Sequence, residues 1–121
     1  MTTKKEIGAE GEDLAVKTLK KSGYRIIQKN YRTRFGEIDI VAEDKDCLVF
    51  VEVKRRSTGA YGTSFDAVGN RKKAHIIRTA QYYLKEFKCE DRKTRFDVVG
   101  IDDGMAKIVQ HAFVVEDTVK W

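Results

Sequence analysis

Proline is absent from this chain, tryptophan occurs once and cysteine only twice. With no proline, no repeat and no low-complexity stretch, nothing marks a linker, so residues 1–121 are expected to form a single domain. That length supports one modest core and is too short for two. Cys47 and Cys89 stand in neither a CxxC nor a Cys/His spacing. Both are therefore expected as reduced, mostly buried thiols, and neither as a zinc ligand. No apolar run approaches the roughly 18–20 residues of a transmembrane helix. The opening "MTTKKEIGAEGED" has lysines but no apolar segment behind them, which excludes a secretory signal of the usual kind. The expected address is the cytoplasm, with no membrane partner.

What the chain does have is charge. Charged residues make up 36% against 41% hydrophobic, a balance that suits a soluble folded domain rather than a disordered tract. The net charge is +5. Its basic residues cluster in "YRTRFG" and "VKRRSTGAYGTSFDAVGNRKK", which hold Arg32, Arg34, Lys54, Arg55, Arg56, Arg71, Lys72 and Lys73. Clustering of this kind favours a polyanionic partner, although mild basicity also serves solubility. The expected partners are nucleic acid, DNA before RNA, and a second copy of the chain in a homodimer.

Periodicity divides the sequence into elements. From Lys5 to Ser22, residues Ile7, Leu14, Ala15, Val16 and Leu19 form an apolar stripe at helical spacing, with Gly23 as the stop. "YRIIQKNYR", Glu37 to Glu43 and Cys47 to Lys54 read as strands, the last two joined by a tight turn at Lys45 and Asp46. "STGAYGTSFDAVGN" reads as a loop, after which Asn70 is placed to cap a helix with Ile76, Ala80, Tyr83, Leu84 and Phe87 on its core face. "RFDVVGI" and "KIVQHAFVV" supply two more strands around "DDGM". The order α-β-β-β-α-β-β predicts an α/β fold with a mixed central sheet flanked by helices.

"FGEIDIVAEDKDCLVFVEVKRR" carries charges inside two apolar strands. Side chains alternate along a strand, so Glu52 and Lys54 share a face with Leu48 and Phe50, while Val49, Val51 and Val53 face the other way. Two apolar faces indicate a central strand. A two-residue turn at Lys45–Asp46 sets Asp39 directly opposite Glu52, and opposed like charges destabilise a sheet unless something offsets them. Such a pair is built to hold a cation. The bland alternative is a solvated Glu52–Lys54 ion pair with Asp39 as an incidental neighbour. On the first helix Glu12 projects among the apolar residues, near Gly8 and Gly11, whereas Glu10 lies with Lys17 and Lys21. Glu12 either joins the hairpin carboxylates or snorkels to water from the helix edge.

The blocks "GAEGEDLAVKTLKKSGYRIIQKNYR", "GEIDIVA", "LVFVEVKRR", "GNRKKAHIIRTAQYYL" and "RFDVVGI" resemble the YraN family, also called UPF0102, over nearly the whole chain. That family is similar to the PD-(D/E)XK nucleases, above all the archaeal Holliday-junction resolvases. The resemblance implies a restriction-endonuclease-like core and a site of Glu12, Asp39, Glu52 and Lys54. One departure is that Gly36, Glu37 and Ile38 precede Asp39, where the superfamily name implies a proline.

Phosphodiester hydrolysis needs stabilisation of developing negative charge and an activated water, both within the reach of Mg²⁺ or Mn²⁺. Asp39 and Glu52 are hard oxygen donors for such an ion, with Glu12 holding a water or a second ion and Lys54 orienting the attacking water. Arg55, Arg56, Lys72 and Lys73 are expected to contact phosphate. His75 and His111 lack metal spacing and read as a helix-surface and a strand histidine; Tyr82 and Tyr83 read as packing residues. The expected function is a metal-dependent DNA endonuclease acting on branched or recombination intermediates. A nucleic-acid-binding module of the same fold without catalysis is the alternative.

Overall fold

The structure, a computed structural model, describes residues 4–56 and 69–113, with side-chain surroundings from Glu10 to Arg55 and from Gly69 to Phe113. The stretch "STGAYGTSFDAV", the surroundings of Ile7, Gly8 and Arg56, and residues 114–121 with Trp121 lie outside this description. The elements follow the expected order: α1 (Lys4–Lys21), β1 (Arg25–Thr33), β2 (Gly36–Asp44), β3 (Cys47–Arg56), α2 (Asn70–Glu86), β4 (Thr94–Asp102) and β5 (Met105–Phe113).

The strands form one sheet in the order β1-β2-β3-β4-β5. Neighbours run antiparallel except β3 and β4, which are parallel and are joined through α2, so the sheet is mixed. β3 takes the centre because both its faces are apolar. Leu48 and Phe50 pack with Ile76, Ile77, Ala80 and Tyr83 of α2. Val49 and Val51 pack with Ala15 and Leu19 of α1. The result is a three-layer α/β/α arrangement in which β3 touches both helical layers.

Local chemistry explains the boundaries, with two corrections. Gly23 ends α1 at φ +94, and Tyr24 N–H reaches back to the Leu19 carbonyl at 3.0 Å, the closing bond of a glycine-terminated helix. Asn70, by contrast, does not cap α2. Gly69 holds the cap position in extended conformation without a side-chain bond, and its carbonyl accepts Lys73 N–H at 3.0 Å, which draws Asn70 into the first turn. Phe87 is not a core residue either. The helix ends one residue before it, so the ring is 49% exposed and lies against Tyr83, while Ile77 and Thr79 fill the buried face.

One end of the sheet is closed by a polar clamp that the sequence pattern does not single out. Asp97 is fully buried at a bulge between β4 and β5. Its Oδ2 accepts the Tyr24 hydroxyl at 2.8 Å, Arg95 Nε donates to Oδ1 at 2.8 Å, and His111 N–H reaches Oδ1 at 3.1 Å. Arg95 Nη2 also donates to Asp44 at 2.9 Å, and Gln110 donates to the Tyr24 oxygen at 2.9 Å. Burial, then the Asp97 contact, pushes the Tyr24 hydroxyl up to about 12. Every partner in this cluster is matched, which suits a fastening device.

Removing the central anion leaves the buried Arg95 guanidinium with Asp44 as its remaining carboxylate among the described residues. Asp97→Ala is therefore expected to lose about 3–5 kcal/mol of folding stability, and Tyr24→Phe only about 1 kcal/mol. Urea unfolding of both variants checks the order; equal small losses would contradict the clamp.

Candidate functional site

At the other end of the hairpin the charges are not matched. β2 and β3 pair from Asp44↔Cys47 through Ile40↔Val51, the register that a Lys45–Asp46 turn predicts. The ladder stops there, one pair short of Asp39 and Glu52. Side-chain alternation breaks at the same point, because Ile38 packs in the α2 layer and Ile40 in the α1 layer. Asp39, between them, turns toward β3, where its Oδ2 accepts the Val53 N–H at 2.8 Å. The side chain thus satisfies an amide that a strand partner would otherwise take. Its cost is a carboxylate drawn in beside Glu52.

Glu52 is 5% exposed, and its Oε1 accepts from Lys72 Nζ at 2.9 Å. The partner of Glu52 is therefore a lysine of α2 and not Lys54. Glu12 is half-buried on α1, with Oε1 buried and without a hydrogen-bond partner among the described residues. Burial first, then the charge of Glu52, pushes the Asp39 carboxyl up to about 7; Glu37 and Glu12 push the same way, and the Val53 amide opposes them. Burial, then the like charge of Lys72, lowers Lys54, while Glu52 and Asp39 pull it back up. Burial would also lower Lys72, but its bond to Glu52 and the carboxylate charges outweigh that and raise it. The four residues expected from the sequence, Glu12, Asp39, Glu52 and Lys54, thus feel one electrostatic neighbourhood.

A cleft of about 550 Å³ opens over this cluster, lined by Gly36, Glu37, Asp39, Glu52, Gly69, Arg71, Lys72, His75 and Ile76. His75 and Glu37 are site residues that the sequence reading leaves out. His75 follows Lys72 by three positions, so helical spacing alone would have put the two side by side. The basic residues expected on phosphate are not gathered in one place. Lys72 lies in the cleft, but Lys73 Nζ sits 5.7 Å from the centre of the Phe113 ring. Arg55 runs beside Gly11 of α1, where an added Cβ would meet Arg55 Cδ at 3.8 Å. Alternation along β3 sends Arg55 to the layer opposite Glu52 and Lys54. The Arg56 side chain lies outside the described residues.

The donor set can be tested against a divalent ion. Among the described residues, no three His, Cys, Asp or Glu side chains are grouped closely enough to enclose one. Mg²⁺ is commonly held by one or two carboxylates, with waters and substrate phosphate completing its shell. The Asp39–Glu52 pair meets that requirement, whereas Glu12 adds to the same electrostatics without being grouped closely enough to make a third donor.

The model of the uncharacterised protein family UPF0102 matches residues 11–101. The chain belongs to that family. A UPF0102 protein of Alkaliphilus oremlandii is 52% identical over 99 residues, covering 80% of this chain and 85% of its own length. Another, of Persephonella marina, is 42% identical over 106 residues, 88% and 91% of the two chains. A third, of Fusobacterium nucleatum, is 45% identical over 93 residues, 77% and 78%. The span matched by the UPF0102 model includes Glu12, Asp39, Glu52, Lys54, Lys72 and Asp97. Among the described residues no helix is long and apolar enough to cross a membrane.

A carboxyl raised to about 7 on folding binds a proton in the native state at a pH where the unfolded chain has lost it. The contribution of Asp39 to stability therefore falls as pH rises from about 4 to about 7. Asp39→Asn keeps an oxygen for the Val53 amide and removes the charge. Without divalent ions at about pH 8 it is expected to be more stable than the parent by about 1 kcal/mol or more, a few degrees in Tm. Thermal melts across pH check this; a variant less stable at high pH would show that the ionised carboxylate stabilises the fold.

Proposed function

We propose that this UPF0102 chain is a divalent-metal-dependent endonuclease that hydrolyses phosphodiester bonds of DNA, with branched recombination intermediates as substrates. One observation carries the reading: a half-buried Asp39 and a buried Glu52 draw together where the hairpin ladder ends, with Lys54 in the same electrostatic neighbourhood. Repulsion of this kind is tolerated in a native sheet when function requires it. Asp39 and Glu52 would hold Mg²⁺ or Mn²⁺, with Glu12 adding to the same electrostatics. When bound, that ion supplies positive charge to the phosphate and acidifies water.

The remaining roles belong to the chain itself. Lys54 donates from its ammonium to the attacking water or to a non-bridging oxygen. Lys72, in the first turn of α2, and Arg71 beside it position the phosphate at a helix start that has no acidic residue. A branched junction presents two equivalent strands, so one site per chain favours a homodimer. Two free thiols, Cys47 and Cys89, suit the cytoplasm.

Cleavage of linear, single-stranded, flapped and four-way DNA with Mg²⁺ or Mn²⁺ tests the reading. Under single-turnover conditions, Lys54→Ala is expected to keep DNA affinity while cleavage falls about 10²–10³-fold, equivalent to about 2.7–4 kcal/mol. Glu52→Gln is expected to abolish cleavage and to weaken Mn²⁺ binding in calorimetry. Equal rates for parent and Lys54→Ala would remove Lys54 from the chemistry.

One observation favours the second reading, a DNA-binding module that does not cut. Lys72 already supplies Glu52 with a cation at 2.9 Å, which an ion must displace. On the nuclease reading Lys72→Met is expected to bind Mn²⁺ several-fold more tightly than the parent, and to melt at lower temperature than the parent without metal. Unchanged Mn²⁺ affinity, together with no cleavage by the parent, puts the binding module first.

A further inference from the structure

We propose that the tip of the β1–β2 hairpin, centred on Phe35, is a stacking site for an unpaired nucleotide of single-stranded nucleic acid. This rests on the nucleic-acid reading above and deepens it by naming the strand state that the chain prefers.

The tip is built rigidly. Phe35 N–H donates to Thr33 Oγ1 at 3.1 Å. Gly36 follows at φ +150, where an added Cβ would come within 3.4 Å of His75 Cβ and of Thr79 Oγ1, so the turn is seated directly on α2. Phe35 itself stays partly exposed. The Arg34 guanidinium lies 5.0 Å from its ring centre and that of Arg78 lies 5.6 Å away. Tyr82, 43% exposed, meets the same ring at 5.1 Å.

Packing alone does not call for this arrangement. Two guanidinium groups converge on one ring, and neither makes an ion pair with a carboxylate among the described residues. Like charges held together without an anion repel each other, and a polyanion relieves that repulsion. Aromatic rings and guanidinium planes are also the surfaces on which unpaired bases stack. A hollow of about 340 Å³ lies beside the ring, lined by Arg34, Phe35, Ala74, His75 and Arg78. His75 also lines the carboxylate cleft, so the two spaces adjoin. A strand laid across α2 would present a base to Phe35 and a neighbouring phosphate to the cleft. Duplex DNA, with its bases stacked internally, has no free base to offer.

Fluorescence anisotropy of the full chain with labelled oligothymidylate and with a duplex of equal length, both without divalent ions so that nothing is cut, tests the proposal. The parent is expected to bind the single strand more tightly. Phe35→Ala is expected to weaken that binding about 5- to 100-fold, the range for losing one stacked base, with duplex affinity changed less than about twofold. Phe35→Leu preserves apolar contact with Tyr82 and serves if the alanine variant melts early; it is expected to lose single-strand affinity too, and Phe35→Trp to keep it. Undiminished single-strand binding by Phe35→Leu, or an equal loss on both strand types, overturns the stacking site and leaves the nuclease reading standing. A parent that binds neither strand overturns both.

Discussion

The bond from the Val53 amide to the Asp39 carboxylate is the constraint on which the rest of the site depends. It lies where the β2–β3 ladder ends, and it replaces a strand-to-strand contact with a side chain. The Val53 amide at the edge of the ladder is thereby satisfied by a side chain. The same bond fixes an anion next to Glu52, which burial has already deprived of solvent. Lys72 then comes to Glu52 from α2, and Lys54 is left beside another ammonium. One hydrogen bond thus commits two strands and a helix to a shared electrostatic problem.

The two ends of the hairpin solve that problem in opposite ways. Around Asp97 each acceptor has its donor, and Arg95 spans Asp97, Asp44 and Tyr24. Among the described residues around Asp39 the carboxylates outnumber the ammonium groups, and one buried Glu12 oxygen has no hydrogen-bond partner there. Both ends set carboxylates against basic side chains. What differs is whether the charges close on themselves, and of these two ends only the one around Asp39 is left with unmatched charge among the described residues. That contrast separates a fastener from a site within a single small sheet.

The surface next to the open end continues the theme. Phe35, Arg34 and Arg78 gather positive charge on an aromatic ring, and Arg71 and Lys72 gather it at the start of α2. Glu52 is buried and Asp39 half-buried beneath these cations, a layout that on the proposed reading would draw a phosphate inward and leave its bases outside. Membership of UPF0102 extends over this same region, since the family match runs from α1 through β4.

Alternating apolar residues in β3 were enough to determine the centre of the sheet, because a strand apolar on both faces must be covered twice. The Lys45–Asp46 turn determined the register, and helical spacing determined that Glu12 lies on the apolar side of α1. Near-neighbour geometry governs all three, so sequence spacing carries them. The tertiary structure alone decided that Lys72 pairs with Glu52, that Arg55 and Lys73 point away from it, and that Asp97 holds the α1–β1 connection, β4 and β5 together. Those outcomes depend on how far α2 is turned over the sheet and on where bulges break the alternation. Such rotations and breaks arise from packing between segments tens of residues apart, and local periodicity holds no record of them.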